Sequence, residues 1–164
     1  MVYLLKDNRT GKPGNPMTKF SIERKANHLI CTFEALGASL NSYSCKDNDE
    51  LYKADVVELF LYIGEENAYL EIEVSPNGAR FVANIINKEI HFIDSSFVKT
   101  KVVSGKDSYN VKMDIDLSML DVKDELEFNA YRIETMGIES NYILLAVNPT
   151  MCGSFHVRES FIKL

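Results

Sequence analysis

The sequence predicts an all-β fold, an antiparallel β-sandwich of about ten short strands with minimal helix. Apolar and polar residues alternate with a period of two in several segments, and turn-forming residues separate these segments. The chain has 164 residues, 46% of them hydrophobic, so it can bury a core without disulfides or a metal ion. We therefore expect a single domain over residues 1–164, immunoglobulin-like or jelly-roll-like in type.

Residues 1–17 are expected to be an N-terminal arm or loop. Two glycines and two prolines lie within residues 10–16, and these residue types interrupt regular structure. Beyond the arm, the segments 29–34 and 109–117 alternate apolar with polar residues. Each is therefore predicted to be a strand with one face in the core and the other in water.

The segment 56–63 is predicted to be a central strand, because apolar side chains occur at both of its parities. A short turn at 64–67 and the alternating segment 69–75 follow it, so the two segments predict a β-hairpin. In the second strand of that hairpin, Glu71 and Glu73 are expected to face outward.

The one charged residue of the central strand is Glu58. A carboxylate on a strand that is covered on both faces needs a partner or a wet cleft. Arg80 and Arg132 are candidate partners, and an ion pair between the two sheets is the simpler interpretation.

The other predicted elements are short segments bounded by Gly, Pro, Asn or Asp. The strands among them are 20–24, 79–87, 90–94, 97–103, 127–134 and 142–147. Helical turns are expected over 118–124 and 159–163.

The charge and the hydrophobic pattern exclude several classes of partner. The formal charge is −6, and no cluster of Lys and Arg interleaved with aromatic residues is present, so we expect no binding to nucleic acid. No apolar run approaches the ~20 residues of a membrane span, and no signal-peptide core follows Met1. The expectation is a cytoplasmic protein with no membrane contact.

The sequence contains none of the common motifs for nucleophilic, metal or nucleotide chemistry. Cys152 and His156 are four residues apart without a recognisable acidic partner, so catalysis is not expected. The acidic stretch from Asp47 to Asp55 holds oxygen ligands suited to calcium but lacks the spacing of an EF-hand loop. We expect a solvated loop and no cofactor, with calcium as the alternative.

Three blocks of the sequence together resemble the family 9 carbohydrate-binding modules. Residues 51–61, LYKADVVELFL, and 69–78, YLEIEVSPNG, match an aromatic and an acidic residue before a V-E-x-F-x strand and a hairpin that ends in Y-x-E-x-E-x-S/N-P-x-G. Residues 129–132, NAYR, resemble the N-x-Y-R/K segment of the family. The segments NPT at 148–150 and FHV at 155–157 resemble its closing W-x-P and F-H-x-P-E-x-F-G motifs.

The resemblance implies a non-catalytic, carbohydrate-binding β-sandwich with a role in carbohydrate catabolism. Members of the family are often attached to xylanases or other glycoside hydrolases, and characterised ones bind glycan reducing ends or small sugars. The implied partners are therefore a saccharide and a polysaccharide-degrading enzyme. An aromatic ring stacks on the C–H face of a pyranose, and polar groups bind its hydroxyls. Carried over by position, the ligand-binding residues would be Tyr52, Glu58, Arg80, Asn129, Arg132 and Asn148.

The sequence also departs from the family pattern. It contains no tryptophan, and Val147 stands where the family has the tryptophan of its closing motif. Arg158 stands at a proline position of that motif and Ile162 at a glycine position. Two alternatives follow: a degenerate sandwich that serves as a protein-interaction module, and a relative that binds haem through Met and His ligands.

Overall fold

The computed structural model describes residues 1–64, 67–122, 125–136 and 142–164. These residues form two antiparallel β-sheets and three short 3-10 segments, which confirms the predicted all-β sandwich. No helix in the described residues is long and apolar enough to cross a lipid bilayer.

The strands are short and follow one another through tight turns. In chain order they are β1 (Val2–Leu4), β2 (Lys6–Asp7), β3 (Thr18–Lys25), β4 (His28–Leu36), β5 (Val56–Tyr62), β6 (Ala68–Val74), β7 (Arg80–Ile86), β8 (Glu89–Phe92), β9 (Val98–Ser104), β10 (Ser108–Asp116), β11 (Glu127–Glu134), β12 (Ile143–Ala146) and β13 (Ile162–Lys163). The first sheet has the order β1-β3-β4-β10-β9. The second has the order β2-β12-β11-β5-β6-β7-β8, and β13 also pairs with β11.

Each of the ten predicted strands is present, with ends that differ by at most two residues. The expected arm over residues 1–17 contains two further strands, β1 on the first sheet and β2 on the second, so it joins the edges of both sheets. Strands of two or three residues are too short to show an alternating pattern, which is why the sequence did not reveal them.

The two expected helical turns are shorter than predicted. Near 118–124 the structure has a 3-10 segment over Leu117–Met119, and residues 123 and 124 lie outside the described residues. Near 159–163 the 3-10 segment is Arg158–Ser160, and after Phe161 the residues Ile162–Lys163 form β13.

The main core lies between the sheets and is built from one parity of each strand. Its largest side chains from the first sheet are Phe20, Phe33 and Tyr109, and the second sheet contributes Leu59 and Phe128 among others. Burial of these side chains away from water is the main stabilising contribution to such a sandwich.

The second sheet is also covered on its outer face. Val56 and Phe60 of β5 are fully buried there, together with Tyr131 of β11 and Phe155 and Phe161 of the C-terminal segment. The prediction that β5 is covered on both faces is therefore confirmed.

Arg132 of β11 is fully buried and links the two sheets. Its Nη1 donates hydrogen bonds to Thr18 Oγ1 and to the carbonyl of Leu36, each at 2.9 Å, and its Nη2 donates to Glu134 Oε2 at 2.5 Å. Glu134 Oε1 in turn accepts a hydrogen bond from the backbone N–H of Ser39 at 3.0 Å. A buried ion pair with this many additional bonds holds the sheets in one relative position.

We expect Arg132→Ala to lower the free energy of unfolding by about 3–5 kcal/mol, because it leaves the Glu134 carboxylate buried without its partner. Urea unfolding followed by circular dichroism measures this change. Lys19→Ala is the control, since Lys19 pairs with Glu34 at 2.9 Å on the exposed surface and should cost at most about 1 kcal/mol. Equal losses in the two variants would contradict the role assigned to Arg132.

Candidate functional site

Three glutamates lie side by side on the outer face of the second sheet. Glu58 of β5 stands directly opposite Glu73 of β6, and Glu71 lies two residues before Glu73 on the same face. Their exposed fractions are 2% for Glu58, 5% for Glu71 and 2% for Glu73. The hairpin register therefore gathers three buried carboxyl groups at one place.

The described residues leave these carboxyl groups without a strong cationic partner. No described Lys or Arg lies within 4 Å of them in an ion pair, and the one contact of this kind joins His156 Nδ1 to Glu71 Oε2 at 3.9 Å. The Oε2 atoms of Glu71 and Glu73 accept no hydrogen bond from the described residues. Buried polar atoms are normally satisfied, so these two oxygens indicate a site for a hydrogen-bond donor.

Burial changes the ionisation of all three groups. It raises the pKa of Glu71 to about 7, although a hydrogen bond with Glu73 acts in the opposite direction and lowers this pKa. Burial, together with repulsion from neighbouring carboxylates, raises the pKa of Glu58 and Glu73 well above the ordinary range. Burial therefore favours the protonated form of all three groups, and Glu71 changes its ionisation near neutral pH, so the group can both donate and accept hydrogen bonds.

The three glutamates form the floor of a cleft made of two adjoining cavities of ≈ 290 and ≈ 220 Å³, which we call the acidic cleft. Tyr52, Glu71, Glu73, Ser154 and His156 line both cavities. The larger cavity extends over β7 and β8 and includes Phe81, Ile85, Lys88 and Ile90. The smaller one reaches Glu58, Ile133, Leu144, Gly153 and Phe155.

Tyr52 forms one lip of the acidic cleft. It belongs to the 3-10 segment Leu51–Lys53, which is anchored by the buried side chain of Leu51. Tyr52 itself is 46% exposed, and its hydroxyl donates a hydrogen bond to Glu50 Oε1 at 2.9 Å. Its ring is therefore oriented by the protein and still accessible to a ligand.

The C-terminal segment forms the opposite wall. The ring of Phe155 stacks on that of Tyr131 with centroids 4.1 Å apart, and the Tyr131 hydroxyl donates to the Phe155 carbonyl at 3.1 Å. His156 stacks on Phe60 at 5.3 Å and hydrogen-bonds to the Tyr69 hydroxyl. Aromatic packing thus fixes the edge of the cleft above the glutamates.

Of the six residues that the resemblance implies, Tyr52 and Glu58 line the acidic cleft and the other four do not. Arg80 and Arg132 lie on the face of the second sheet that is turned toward the first sheet, where Arg80 donates to the Val98 carbonyl at 3.0 Å. The predicted ion pair of Glu58 is wrong, because Arg80 pairs with Asp47 and Arg132 with Glu134. Both arginines have the parity opposite to Glu58, which directs their side chains away from it.

Asn129 and Asn148 hold the C-terminal segment in place. Asn129 Nδ2 donates to the Asn148 carbonyl at 2.8 Å and to the Ser160 carbonyl at 3.1 Å, and its Oδ1 accepts from the Asn148 backbone N–H at 3.1 Å. The Asn148 side chain also donates to the Ser160 carbonyl at 2.9 Å. These amides support the wall of the cleft from beneath.

Three residues of the acidic cleft were not predicted as site residues from the sequence motifs: Glu71, Glu73 and His156. Glu71 and Glu73 were expected to face water, and they do lie on the outer face of the sheet, but the C-terminal segment covers that face. The predicted hairpin was the one feature of the sequence that pointed to Glu73 as a site residue, since the register of the hairpin places Glu73 beside Glu58. For His156, only its place in the closing motif of the resemblance pointed to a role.

The acidic stretch considered for calcium is engaged in protein hydrogen bonds. Asp47 binds the Arg80 side chain at 2.9 Å, and the buried Asp55 accepts hydrogen bonds from Ser39 Oγ at 2.7 Å and from the Asn41 backbone N–H at 2.9 Å. Among the described residues, no three His, Cys, Asp or Glu side chains are placed to hold a metal ion.

The chain is similar to proteins of known structure over nearly its whole length. A protein of Bacteroides uniformis that is proposed to bind carbohydrate superposes with a TM-score of 0.83 and 17% identity, over 100% of this chain and 85% of that one. A carbohydrate-binding module of family 9 from Caldicellulosiruptor kristjanssonii superposes with a TM-score of 0.64 in two structures. Its complex with cellotriose is 19% identical over 89% of this chain and 71% of that one, and its complex with glucose is 20% identical over 88% and 74%.

One curated relative, a protein of Arthroderma benhamiae named "Extracellular protein", is 27% identical over 173 residues, which are 91% of this chain and 78% of that protein. No family model matches the sequence. The structural likenesses show that the chain has the fold of the family 9 carbohydrate-binding modules, as the sequence resemblance implied.

Glu71→Gln should remove part of the pH dependence of stability. The pKa of Glu71 is about 7 in the folded protein against 4.5 ordinarily, so the folded state binds its proton more tightly. Stability is then lost as the pH rises from about 4.5 to about 7. Relative to the variant, the free energy of unfolding of the parent protein should fall by roughly 2–3 kcal/mol between about pH 5 and about pH 8.

Urea unfolding at the two pH values measures this difference. The control is Glu89→Gln on β8, whose side chain is exposed, and it should keep the pH dependence of the parent. If Glu71→Gln and the parent show the same pH dependence, the pKa assigned to Glu71 is wrong.

Proposed function

We propose that this protein is a non-catalytic carbohydrate-binding domain that holds a saccharide in the acidic cleft. The observation that supports this proposal is that Glu71 and Glu73, whose buried Oε2 atoms have no described hydrogen-bond partner, line a cleft whose lip is the exposed ring of Tyr52. A pyranose has an apolar face and a rim of hydroxyl groups, and the cleft offers a counterpart for each.

The size of the acidic cleft supports a small ligand. The two adjoining cavities, of ≈ 290 and ≈ 220 Å³, are each smaller than the roughly 300–1,000 Å³ that is typical of small-molecule sites. We therefore propose a monosaccharide or the terminal ring of a glycan, such as its reducing end, as the ligand. Structural neighbours of the same fold that were crystallised with glucose and with cellotriose support this class of ligand.

The arrangement of hydrogen-bonding groups also suits a sugar. In its protonated form each of the three glutamates can donate one hydrogen bond, and in its ionised form each can only accept. Sugar hydroxyls both donate and accept, so they can satisfy either kind of group. The haem alternative gains no such support, because among the described residues no methionine lines either cavity of the cleft.

Tyr52→Ala should weaken saccharide binding by about tenfold or more, because a stacked aromatic contact contributes roughly 1 kcal/mol beyond the area that it buries. Isothermal titration calorimetry with glucose, methyl glucoside and cellotriose measures the affinity. Weaker binding of the methyl glucoside than of glucose would support recognition of the reducing end.

Tyr43→Ala provides the matched control. Tyr43 is 52% exposed on the same loop and does not line the acidic cleft, so its removal should leave the affinity unchanged. Unchanged affinity in Tyr52→Ala would contradict the role of Tyr52. Absence of binding to all three sugars, in folded parent protein, would overturn the proposed function.

A further inference from the structure

Three carboxyl groups lie among the polar side chains of the smaller cavity, beside Tyr52, Ser154 and His156. In the smaller cavity the described lining residues include Glu58, Glu71 and Glu73 but no Arg, Lys, Asn or Gln. Sites for neutral sugars have no need of three adjacent carboxyl groups, because hydroxyls are satisfied equally well by amides. The composition of this floor therefore carries information about the ligand.

An ammonium group could donate hydrogen bonds to the carboxyl oxygens that have no described partner. It offers three N–H donors and no acceptor, and the Oε2 atoms of Glu71 and Glu73 are buried acceptors without a described donor. A cation between the carboxyl groups also offsets the repulsion among them and forms charge-assisted hydrogen bonds. The formal charge of −6 favours the approach of a cation.

We propose that the acidic cleft prefers amino sugars, saccharides that carry a primary ammonium group, over neutral and N-acetylated sugars. This inference rests on the proposed function, since the sugar ring itself would be held by the same cleft. The ammonium group would lie in the smaller cavity, above Glu58 and between Glu71 and Glu73.

In the smaller cavity, no described ionisable group supplies a positive charge at pH 7. Lys88 lines only the larger cavity, so the smaller one has no described lysine. Tyr69 and Tyr131 stay neutral, because burial raises the pKa of each phenol well above its ordinary value. Hydrogen bonding to Glu50 raises the pKa of Tyr52, and burial lowers the pKa of His156, so that ring is neutral at pH 7.

Binding of the ammonium group has a defined proton balance. Burial favours the protonated form of these carboxyl groups in the free protein, and a cation beside them favours the carboxylate form, so each group that ionises on binding passes its proton to the buffer. A neutral sugar brings no charge that would favour ionisation of the same carboxyl groups. Proton release therefore distinguishes the two kinds of ligand independently of affinity.

The test is isothermal titration calorimetry at pH 7 with glucosamine, glucose and N-acetylglucosamine in PIPES and in HEPES, which differ in ionisation enthalpy. We expect glucosamine to bind about tenfold or more tightly than either other sugar. Its measured heat should depend on the buffer in the direction of proton release. The affinity for glucosamine relative to glucose should rise from pH 5.5 to pH 7.

Glu73→Gln should lower the ratio of glucosamine to glucose affinity, and Glu71→Gln provides a second variant with the same expectation. Glu89→Gln, on the exposed face of β8, should keep the ratio of the parent. Binding of glucose with no preference for glucosamine would overturn this inference and leave the proposed function standing. Failure of all three sugars to bind folded protein would overturn both.

Discussion

The fold and the acidic cleft both depend on the burial of the second sheet on its two faces. One face packs against the first sheet, and the other is covered in part by the C-terminal segment around Phe155 and Phe161. Because β5 is central, its alternate side chains enter two different environments. The core-facing parity stabilises the sandwich, and the other parity is free to carry polar groups beneath a cover.

Three carboxyl groups under that cover make the site costly to form. Desolvation disfavours their ionised forms and raises the pKa of Glu58 and Glu73 well above the ordinary range, and no described Lys or Arg pairs with them. This contrasts with Arg132 and Glu134, which satisfy each other within the core between the sheets. The buried ion pair between the sheets stabilises the fold, whereas the buried carboxyl groups of the cleft have no strong described partner. Ionisable groups with shifted pKa values are common at sites that a ligand completes.

Much of the fold could be predicted from the pattern of apolar residues. The alternation in β4 and β10, the apolar run of β5 and the hairpin to β6 each reflect local backbone geometry, which repeats every two residues. The strands β1 and β2 escaped prediction, since two or three residues are stabilised by pairing with distant strands and not by their own pattern.

The candidate site could be predicted only in part. Tyr52 and Glu58 were found through a sequence motif, whereas Arg80 and Arg132 were assigned to the same site although their parity turns them to the other face. A sequence motif shows which residue types follow one another along the chain. The face on which each side chain lies depends on the register of the whole sheet, which the motif does not contain.

The sequence by itself determined the alternation, the turns and the acidic residues of the hairpin, because these are properties of neighbouring positions. Only the tertiary structure decided that Glu71 and Glu73 are buried and that His156 stands over them. Their burial depends on a segment more than 70 residues away along the chain, whose position is set by Asn129 and by stacking on Tyr131. Contacts over that distance arise from packing, which no local pattern of residues encodes.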